Sequence, residues 1–221
     1  MGQGENKMAY FPFMIEIENK KCLVVGGGSI AFHKVKLLAE FGVHIRVVAP
    51  KICEPLRKLT EKGMLSVELM EREFQNSDIN EMNFVVAATD DRQLNYYISE
   101  LCRQKNVLIN AVDMKEACSF IFPAMIKDKD MLIAVSSGGQ SPAAAAYVKK
   151  QIQHDIPDYY GNMIETLGEY RDYILEHVDT AGRQKELFNR LLEYGDAHQG
   201  EIPKEMVEAL IKTGDKDGYA D

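Results

Sequence analysis

The stretch KKCLVVGGGSIAFHKVKLLAEFGVHIRVVAPK, from Lys20 to Lys51, decides the fold of this chain. It begins with a short apolar run that predicts a buried strand, and the glycines that follow lead into a pattern that predicts a helix. Gly26, Gly28 and Ala31 match G-x-G-x-x-G/A in that strand-to-helix context. The first glycine of this pattern permits the tight turn, the second lets the backbone approach a pyrophosphate, and the third small residue lets helix and strand pack closely. The stretch therefore predicts a βαβ unit that binds a dinucleotide.

The expected cofactor contacts follow from the position of this turn. A helix N-terminus offers unpaired N–H groups to an anion, so the pyrophosphate should lie at Ser29 and Ile30. The second predicted strand ends in RVVAPK, without the carboxylate that usually holds the adenosine ribose about 20 residues beyond the turn. We therefore expect the backbone near Pro50 to hold the ribose, with Lys51 beside it. A lysine there also suits a 2′-phosphate, so the sequence leaves NAD and NADP both open.

Five short apolar runs predict the strands of one sheet, and helical patterns separate most of them. The runs are CLVV at 22–25, HIRVVA at 44–49, LSVELM at 65–70, NFVVAAT at 83–89 and VLINAV at 107–112. Strands that alternate with helices, joined by right-handed crossovers, predict an α/β fold with a doubly wound parallel sheet of the Rossmann type.

The pattern changes beyond the fifth strand. CSFIFPAMI at 118–126 and MLIAVSS at 131–137 predict an antiparallel hairpin, and Ser141 followed by Pro142 predicts the start of a helix. From Pro157 onward the chain reads as helical. We therefore expect three parts: a Rossmann domain at 1–113, an α+β segment with the hairpin and a helix at 114–152, and a helical C-terminal domain at 153–221.

The composition excludes several classes of protein. The chain has 221 residues, of which 46% are hydrophobic and 27% charged, as in globular proteins. A net charge of −8 argues against a general nucleic-acid surface, which needs a basic face. No apolar run is long enough to cross a bilayer, and the start MGQGENK has no apolar core of a signal peptide. The five histidines form no metal-binding motif, so we expect no metal site. The four cysteines lack CxxC spacing and three lie in or beside apolar runs, which favours buried thiols over disulfides and a reducing cytoplasm.

Small polar residues follow the fourth and fifth predicted strands, at the carboxyl edge where open α/β sheets bind ligands. Thr89 and Asp90 end the fourth strand and are expected at the cofactor. Asp113 ends the fifth, and two interpretations fit its position. It caps the next segment or pairs with Lys115, or it acts as a general acid or base beside a hydride-transfer centre.

The loop SSGGQSP at 136–142 leads from the hairpin into a helix. Its many N–H groups and the helix that follows suit the carboxylates of an acidic ligand, which would lie at Ser137 and Gly138. Alternatively, the same sequence is that of a strand-to-helix turn with a capping serine and no ligand. Several lysines near these motifs, Lys34 among them, could supply local positive charge to the site, and most of them are interpreted as solvated surface residues.

Six motifs, in their order and spacing, resemble the precorrin-2 dehydrogenase family, which also forms the N-terminal module of siroheme synthases. They are VVGGGSIAFHKVKLL, VVAP, AATDD, INAVD, SFIFPAMI and AVSSGGQSPAAAA, and they extend from about Tyr10 to Ile152. The resemblance implies an enzyme that oxidises precorrin-2, a reduced tetrapyrrole, to sirohydrochlorin and passes a hydride to NAD⁺. It also implies a homodimer in which the central segment is the dimerisation segment.

The resemblance implies roles for individual residues as well. The aspartate of the family's N-x-V-D segment is the proposed catalytic residue and matches Asp113, and Asn110 of the same segment is placed at the substrate. The second serine of SSGG lies in the tetrapyrrole pocket and matches Ser137, beside Gly138. The dinucleotide contacts carry over onto Ser29, Ile30, Pro50 and Lys51.

Two other functions remain open. Some relatives also insert Fe²⁺ into the product, so a bifunctional dehydrogenase and ferrochelatase is one alternative, in which Asp113 also accepts the pyrrole protons. The other is a dinucleotide-sensing regulatory module. Such modules commonly keep the acidic residue that ends the second strand, and they have no use for SSGGQSP, so the sequence favours the dehydrogenase.

Overall fold

A computed structural model describes residues 10–61 and 66–214 of the chain. They divide into two compact units between residues 122 and 123. The described residues of the first unit form five strands and three helices: β1 (Lys21–Val25), α1 (Ser29–Ala39), β2 (His44–Ala49), α2 (Glu54–Glu61), β3 (Val67–Glu71), β4 (Phe84–Ala87), α3 (Arg92–Gln104) and β5 (Leu108–Ala111). Short 3₁₀ turns occur at Asn76–Ile79 and Lys115–Ala117.

The five strands form one parallel sheet in the order β3-β2-β1-β4-β5. This order confirms the doubly wound α/β fold. The strand order reverses beside β1, because the chain leaves β1 in one direction for β2 and β3 and returns on its other side as β4. Ligands of open α/β sheets bind at the carboxyl ends of the strands at such a reversal.

The sheet is buried on both faces, as parallel sheets usually are. On one face α1 and α2 bury a cluster that includes Val24, Val35 and Val47. On the other face α3 buries a second cluster around Leu23 and Ile98. The apolar runs of the sequence therefore predicted the strands, since strands covered on both sides need side chains that are apolar throughout.

The run at 118–126 forms a strand only from Ala124, so its prediction as one hairpin strand was wrong. Residues 118–120 instead return along the exposed edge of β5. The Ser119 N–H donates to the Ile109 carbonyl at 2.8 Å, and the Ile109 N–H donates to the Ser119 hydroxyl at 2.8 Å. Phe120 packs edge-on against Phe84 in the core. This segment pairs with β5 because an edge strand otherwise leaves its backbone N–H and C=O groups without partners.

The second unit contains the hairpin and four helices: β6 (Ala124–Asp128), β7 (Met131–Val135), α4 (Pro142–Asp155), α5 (Tyr160–His177), α6 (Ala181–Ala197) and α7 (Lys204–Gly214). The two strands pair antiparallel, which confirms the hairpin. The Ser141 hydroxyl accepts the Ala144 N–H at 3.1 Å and caps α4, with Pro142 in the first turn. The helices α5, α6 and α7 close their own core around Ile174, Leu191 and Val207.

In the described part of the chain, none of the helices has the length and apolar character needed to cross a membrane.

Candidate dinucleotide site

The turn after β1 can be built only with glycine at two positions. Gly26 has φ +125°, and a Cβ there would lie 2.3 Å from the Ala88 carbonyl oxygen. A Cβ on Gly27 would lie 2.1 Å from the Lys51 carbonyl oxygen. The motif pattern assigned a role to Gly26 but none to Gly27, whose requirement comes from a segment about 24 residues away in the chain.

Gly28 differs from its two neighbours. Its φ is −89°, which any residue adopts, and a Cβ there would meet nothing within 4 Å. Neither backbone strain nor packing explains a glycine at this position. Open space above a glycine at the switch point is the arrangement that lets a pyrophosphate approach the backbone.

The start of α1 suits an anion. Gly28 is its N-cap, no side chain caps the helix, and its first turn contains no acidic residue. Ser29 is exposed, and so is Ile30, at 44%. The first N–H groups of a helix carry a partial positive charge and lack intrahelical partners. The residues at this turn therefore fit the pyrophosphate of a dinucleotide.

The segment after β2 packs against the glycine turn. Pro50 and Lys51 are exposed, and Ile52 is buried. The Cys53 N–H donates to the Gly27 carbonyl at 2.8 Å, and the Gly26 N–H donates to the Val48 carbonyl at 3.0 Å. The two segments expected to hold pyrophosphate and ribose thus form one continuous surface.

The segment after β4 is fixed by a side chain that the sequence interpretation missed. Asn95, which is 2% exposed, accepts the Thr89 hydroxyl at 2.7 Å and donates to the Thr89 carbonyl at 2.9 Å. Asp91 caps α3 by accepting the N–H groups of Gln93 and Leu94. Asp90 is exposed. A buried amide one turn into the helix that follows this edge was the signal available in the sequence.

Asp113 lies two residues beyond β5, at the same carboxyl edge. It is exposed, and its φ of +58° is in the left-handed region. The Val112 N–H donates to the Ala87 carbonyl at 2.9 Å and ties this segment to the end of β4. Left-handed non-glycine residues cost free energy and often occur at functional sites, and Asp tolerates the conformation better than most.

Asn110, predicted at the substrate, is buried within the unit at 8% exposure. Its amide donates to the Phe120 carbonyl at 3.1 Å and so helps to fasten the segment that returns along β5. The neighbouring Cys118 thiol accepts the Ala111 N–H at 3.2 Å, and burial is the main cause that raises the pKa of this thiol.

Lys34 is not a solvated surface residue. It is half-buried on α1, and its ammonium lies 3.9 Å from the centre of the Phe122 ring. Burial lowers the pKa of its ammonium. The sequence around Lys34 did not indicate its burial, because the ring that covers its ammonium belongs to Phe122, the last residue of the first unit.

Ser137 and Gly138 belong to the second unit. The Ser137 hydroxyl accepts the Ser141 N–H and donates to the Ser141 carbonyl, both at 2.9 Å. Gly138 has φ +61° and Gly139 φ +76°, and this left-handed backbone favours glycine at both positions. The serines thus give the loop its own closed shape before the start of α4.

Among the residues that the structure describes, no group of three or more His, Cys, Asp or Glu side chains is placed to hold a metal ion.

The fold and the glycine turn define a Rossmann-type NAD(P)-binding domain. In agreement, residues 13–124 match the family model described as "Putative NAD(P)-binding", and the chain belongs to this family. Residues 128–154 match a second model, described as "Sirohaem biosynthesis protein central". The expected resemblance to the siroheme synthase N-terminal module is thereby confirmed.

Curated relatives include the siroheme synthases of Thioalkalivibrio sulfidiphilus and Nitrosococcus oceani. The chain is 36% identical to the first over 212 residues, which cover 94% of this chain and 43% of that protein. It is 35% identical to the second over 212 residues, which cover 94% of this chain and 45% of that protein. The chain therefore spans less than half the length of these relatives.

A solved structure named "SirC, precorrin-2 dehydrogenase" has the same fold. It covers 94% of this chain and 100% of its own, with a TM-score of 0.71 at 23% sequence identity.

Proposed function

We propose that this protein catalyses the NAD-dependent oxidation of precorrin-2 to sirohydrochlorin in siroheme biosynthesis. The observation that carries the proposal is the glycine turn, with open space above Gly28 and an uncapped helix start, at the same sheet edge as Asp113. The similarity to siroheme synthases, and the fold shared with a protein named as a precorrin-2 dehydrogenase, support the choice of substrate.

The oxidation removes two hydrogen atoms from the macrocycle, one as a hydride and one as a proton. Bound NAD⁺ supplies the acceptor for the hydride. The protein has to place the donor carbon within reach, exclude water and provide a group for the proton. Little covalent chemistry is required of the side chains, because conjugation gained by the macrocycle favours the product.

Within this proposal Asp113 accepts the proton or orients the macrocycle through a pyrrole N–H. Ser29 and Ile30 hold the pyrophosphate through their N–H groups. Pro50 and Lys51 hold the ribose. Thr89, kept in place by Asn95, borders the cofactor together with Asp90.

The remaining parts of the proposal concern the substrate and the assembly. Ser137, Gly138 and Asn110 are assigned to the tetrapyrrole, Asn110 by fixing the segment that returns along β5. The assembly is a cytoplasmic homodimer in which 114–152 supplies the dimerisation segment. NAD⁺ is assigned as the acceptor.

An anaerobic assay tests the function directly. Enzymatically made precorrin-2 and NAD⁺ are mixed with the protein, and NADH and sirohydrochlorin are followed together. The proposal expects equal amounts of both products. Binding of NAD⁺ without any product would contradict it and would favour a dinucleotide-sensing module.

Fe²⁺ added to the same assay after oxidation tests the bifunctional alternative. Conversion of sirohydrochlorin to siroheme above the rate without protein would establish chelation as a second activity. An unchanged rate would restrict the protein to dehydrogenation.

A further inference from the structure

The end of β2 has no carboxylate of its own, but the neighbouring strand brings one to it. Glu71 is the last residue of β3 and pairs in parallel register with Ala49, the last residue of β2. Its carboxylate therefore reaches the part of the carboxyl edge where the ribose-binding acid of a dinucleotide site usually stands.

The Glu71 carboxylate is held by α2 and in turn holds the segment after β2. Nη2 of Arg57 donates to both of its oxygens at 2.6 Å. The backbone of Ile52 also contributes to lowering the pKa of the same carboxylate. The hydrogen bond from Arg57 is the main cause that lowers the pKa of Glu71, so the group is ionised at neutral pH.

The segment fastened by Glu71 is also the one that contacts the glycine turn. The Cys53 N–H donates to the Gly27 carbonyl, and the Lys51 carbonyl occupies the space that a Cβ on Gly27 would need. The Arg57 N–H donates to the Cys53 carbonyl at 3.3 Å. A short chain of contacts therefore connects the Glu71 carboxylate, through residues 51–53, to the backbone that faces the pyrophosphate.

We propose that Glu71 and Arg57 are the positioning pair for the adenosine half of the dinucleotide. This inference rests on the proposed NAD-dependent function. The pair replaces the missing ribose carboxylate indirectly, because it fixes Pro50 and Lys51 rather than binding the ribose itself. An ion pair of half-exposed side chains stabilises a fold little, so its expected effect is on cofactor binding and not on folding.

The chain contains a matched control pair, on β2 and β3. Arg46 Nε donates to Glu68 at 2.8 Å, and these two residues are register partners on β2 and β3. Glu68 lies three residues before Glu71, on the opposite face of the sheet, because side chains of a strand alternate. The control pair has a similar exposure.

The test compares Glu71→Ala, Glu71→Gln and Arg57→Gln with Glu68→Ala in the full chain. Calorimetry measures Kd for NAD⁺, for ADP-ribose and for nicotinamide mononucleotide, and thermal unfolding gives Tm. We expect Glu71→Ala and Arg57→Gln to raise Kd for NAD⁺ and ADP-ribose about tenfold, the scale on which supporting residues act. Glu71→Gln keeps an acceptor for Ile52 and should fall in between. In the Glu71 and Arg57 variants, Kd for nicotinamide mononucleotide and kcat should stay at their wild-type values, so the kinetic effect appears in KM for NAD⁺. The Glu68→Ala variant should match the wild type in all of these quantities.

Each outcome decides the inference. Wild-type affinity for NAD⁺ in both Glu71→Ala and Arg57→Gln overturns it, and so does an equal loss in Glu68→Ala. If Glu71→Ala fails to fold, Arg57→Gln and Glu71→Gln decide between these outcomes. A wild-type protein that binds no dinucleotide contradicts the proposed function itself, whereas a wild-type protein that binds it while Glu71→Ala binds equally well contradicts only the positioning role.

Discussion

Gly27 and Gly28 are adjacent in the chain, yet a methyl group added to each meets opposite surroundings. At Gly27 it overlaps the Lys51 carbonyl, and at Gly28 it enters open space. We expect Gly27→Ala to lower the free energy of unfolding by about 1–3 kcal/mol, as overpacking does. Gly28→Ala should lower it by about 1 kcal/mol or less, because alanine is a poorer N-cap than glycine. It should also raise Kd for NAD⁺ at least about tenfold, because the methyl lies in the path of the pyrophosphate.

Urea denaturation and calorimetric titration of the two variants check this pair of expectations. Each variant is the control for the other, since both add the same methyl group. Wild-type affinity of a folded Gly28→Ala protein would show that the pyrophosphate does not lie on this turn.

Asp113 provides the second test at this scale. Asn is the suitable replacement, because it tolerates the left-handed backbone of φ +58° and keeps the shape of the side chain while removing the base. We expect Asp113→Asn to reduce kcat for precorrin-2 oxidation by about 10²- to 10⁴-fold, the usual contribution of a general base. Kd for NAD⁺ should stay at its wild-type value.

Initial rates under anaerobic conditions, with titrations of NAD⁺ into the same preparations, give both quantities. A rate within about threefold of wild type would be far outside the range for a general base and would exclude proton transfer by Asp113.

Single residues were predictable where a local motif requires them. Gly26 and Gly28 belong to one short glycine pattern, and Asp113 follows a strand. Gly27 was missed because its requirement comes from Lys51, and a requirement set by a distant segment leaves no periodic signal in the sequence around the residue. Asn95 lies close to Thr89 in the chain, so its signal was local: an amide one turn into α3.

At the scale of elements, the 3₁₀ turn after β3 depends on one buried carboxylate. Asp78, which is 5% exposed, accepts two hydrogen bonds from Arg72, at 2.6 and 2.8 Å, and the N–H of Gln75 at 2.8 Å. The hydrogen bonds from Arg72 are the main cause that lowers the pKa of Asp78 below the 3.8 of an unfolded chain. The group therefore stabilises the fold above pH 3.8, and this stabilisation is lost as the pH falls through the lower, folded pKa.

We expect Asp78→Asn to lower the free energy of unfolding at pH 7 by about 2 kcal/mol, the value of hydrogen bonds to a buried charged group. The difference between variant and wild type should shrink as the pH is lowered below 3.8. Denaturation curves measured from neutral pH down to about pH 3 give this difference on both sides of the pKa of the unfolded chain. The exposed pair of Glu100 and Arg103 is the control: Glu100→Gln should change the free energy of unfolding little at any pH. A pH-independent loss in Asp78→Asn would show that packing, not charge, is responsible.

Elements of the sheet were predictable because burial on both faces selects apolar strands. The structure of residues 118–126 was not predictable from the sequence. These residues are as apolar as those of a single strand, but they pair with two different strands. The first part of this segment pairs with the edge of β5, and its last part, from Ala124, pairs with β7. Which neighbour a strand-like segment pairs with is decided by tertiary contacts, and periodicity carries no information about them.

At the scale of the whole molecule, the compact units divide at residues 122 and 123, whereas the motifs suggested a boundary after 113. The residues between these two boundaries carry Cys118 and Phe120, which complete the core of the first unit. Composition does not change there, so the sequence contained no sign of the later boundary. The three-part division by function stays a prediction.

The contacts that shape the dinucleotide turn come from Val48, Lys51, Cys53 and Ala88, all within the first unit. We therefore expect a fragment of residues 1–122 to fold and to bind NAD⁺ with a Kd within about threefold of the full chain, a difference of less than about 1 kcal/mol. The same fragment should not oxidise precorrin-2, because Ser137 and Gly138, assigned to the tetrapyrrole, lie outside it. Circular dichroism establishes folding, calorimetry gives Kd, and the anaerobic assay gives turnover. A folded fragment that fails to bind NAD⁺ would place part of the cofactor site in 123–221, and a fragment that oxidises precorrin-2 would remove Ser137 and Gly138 from the substrate site.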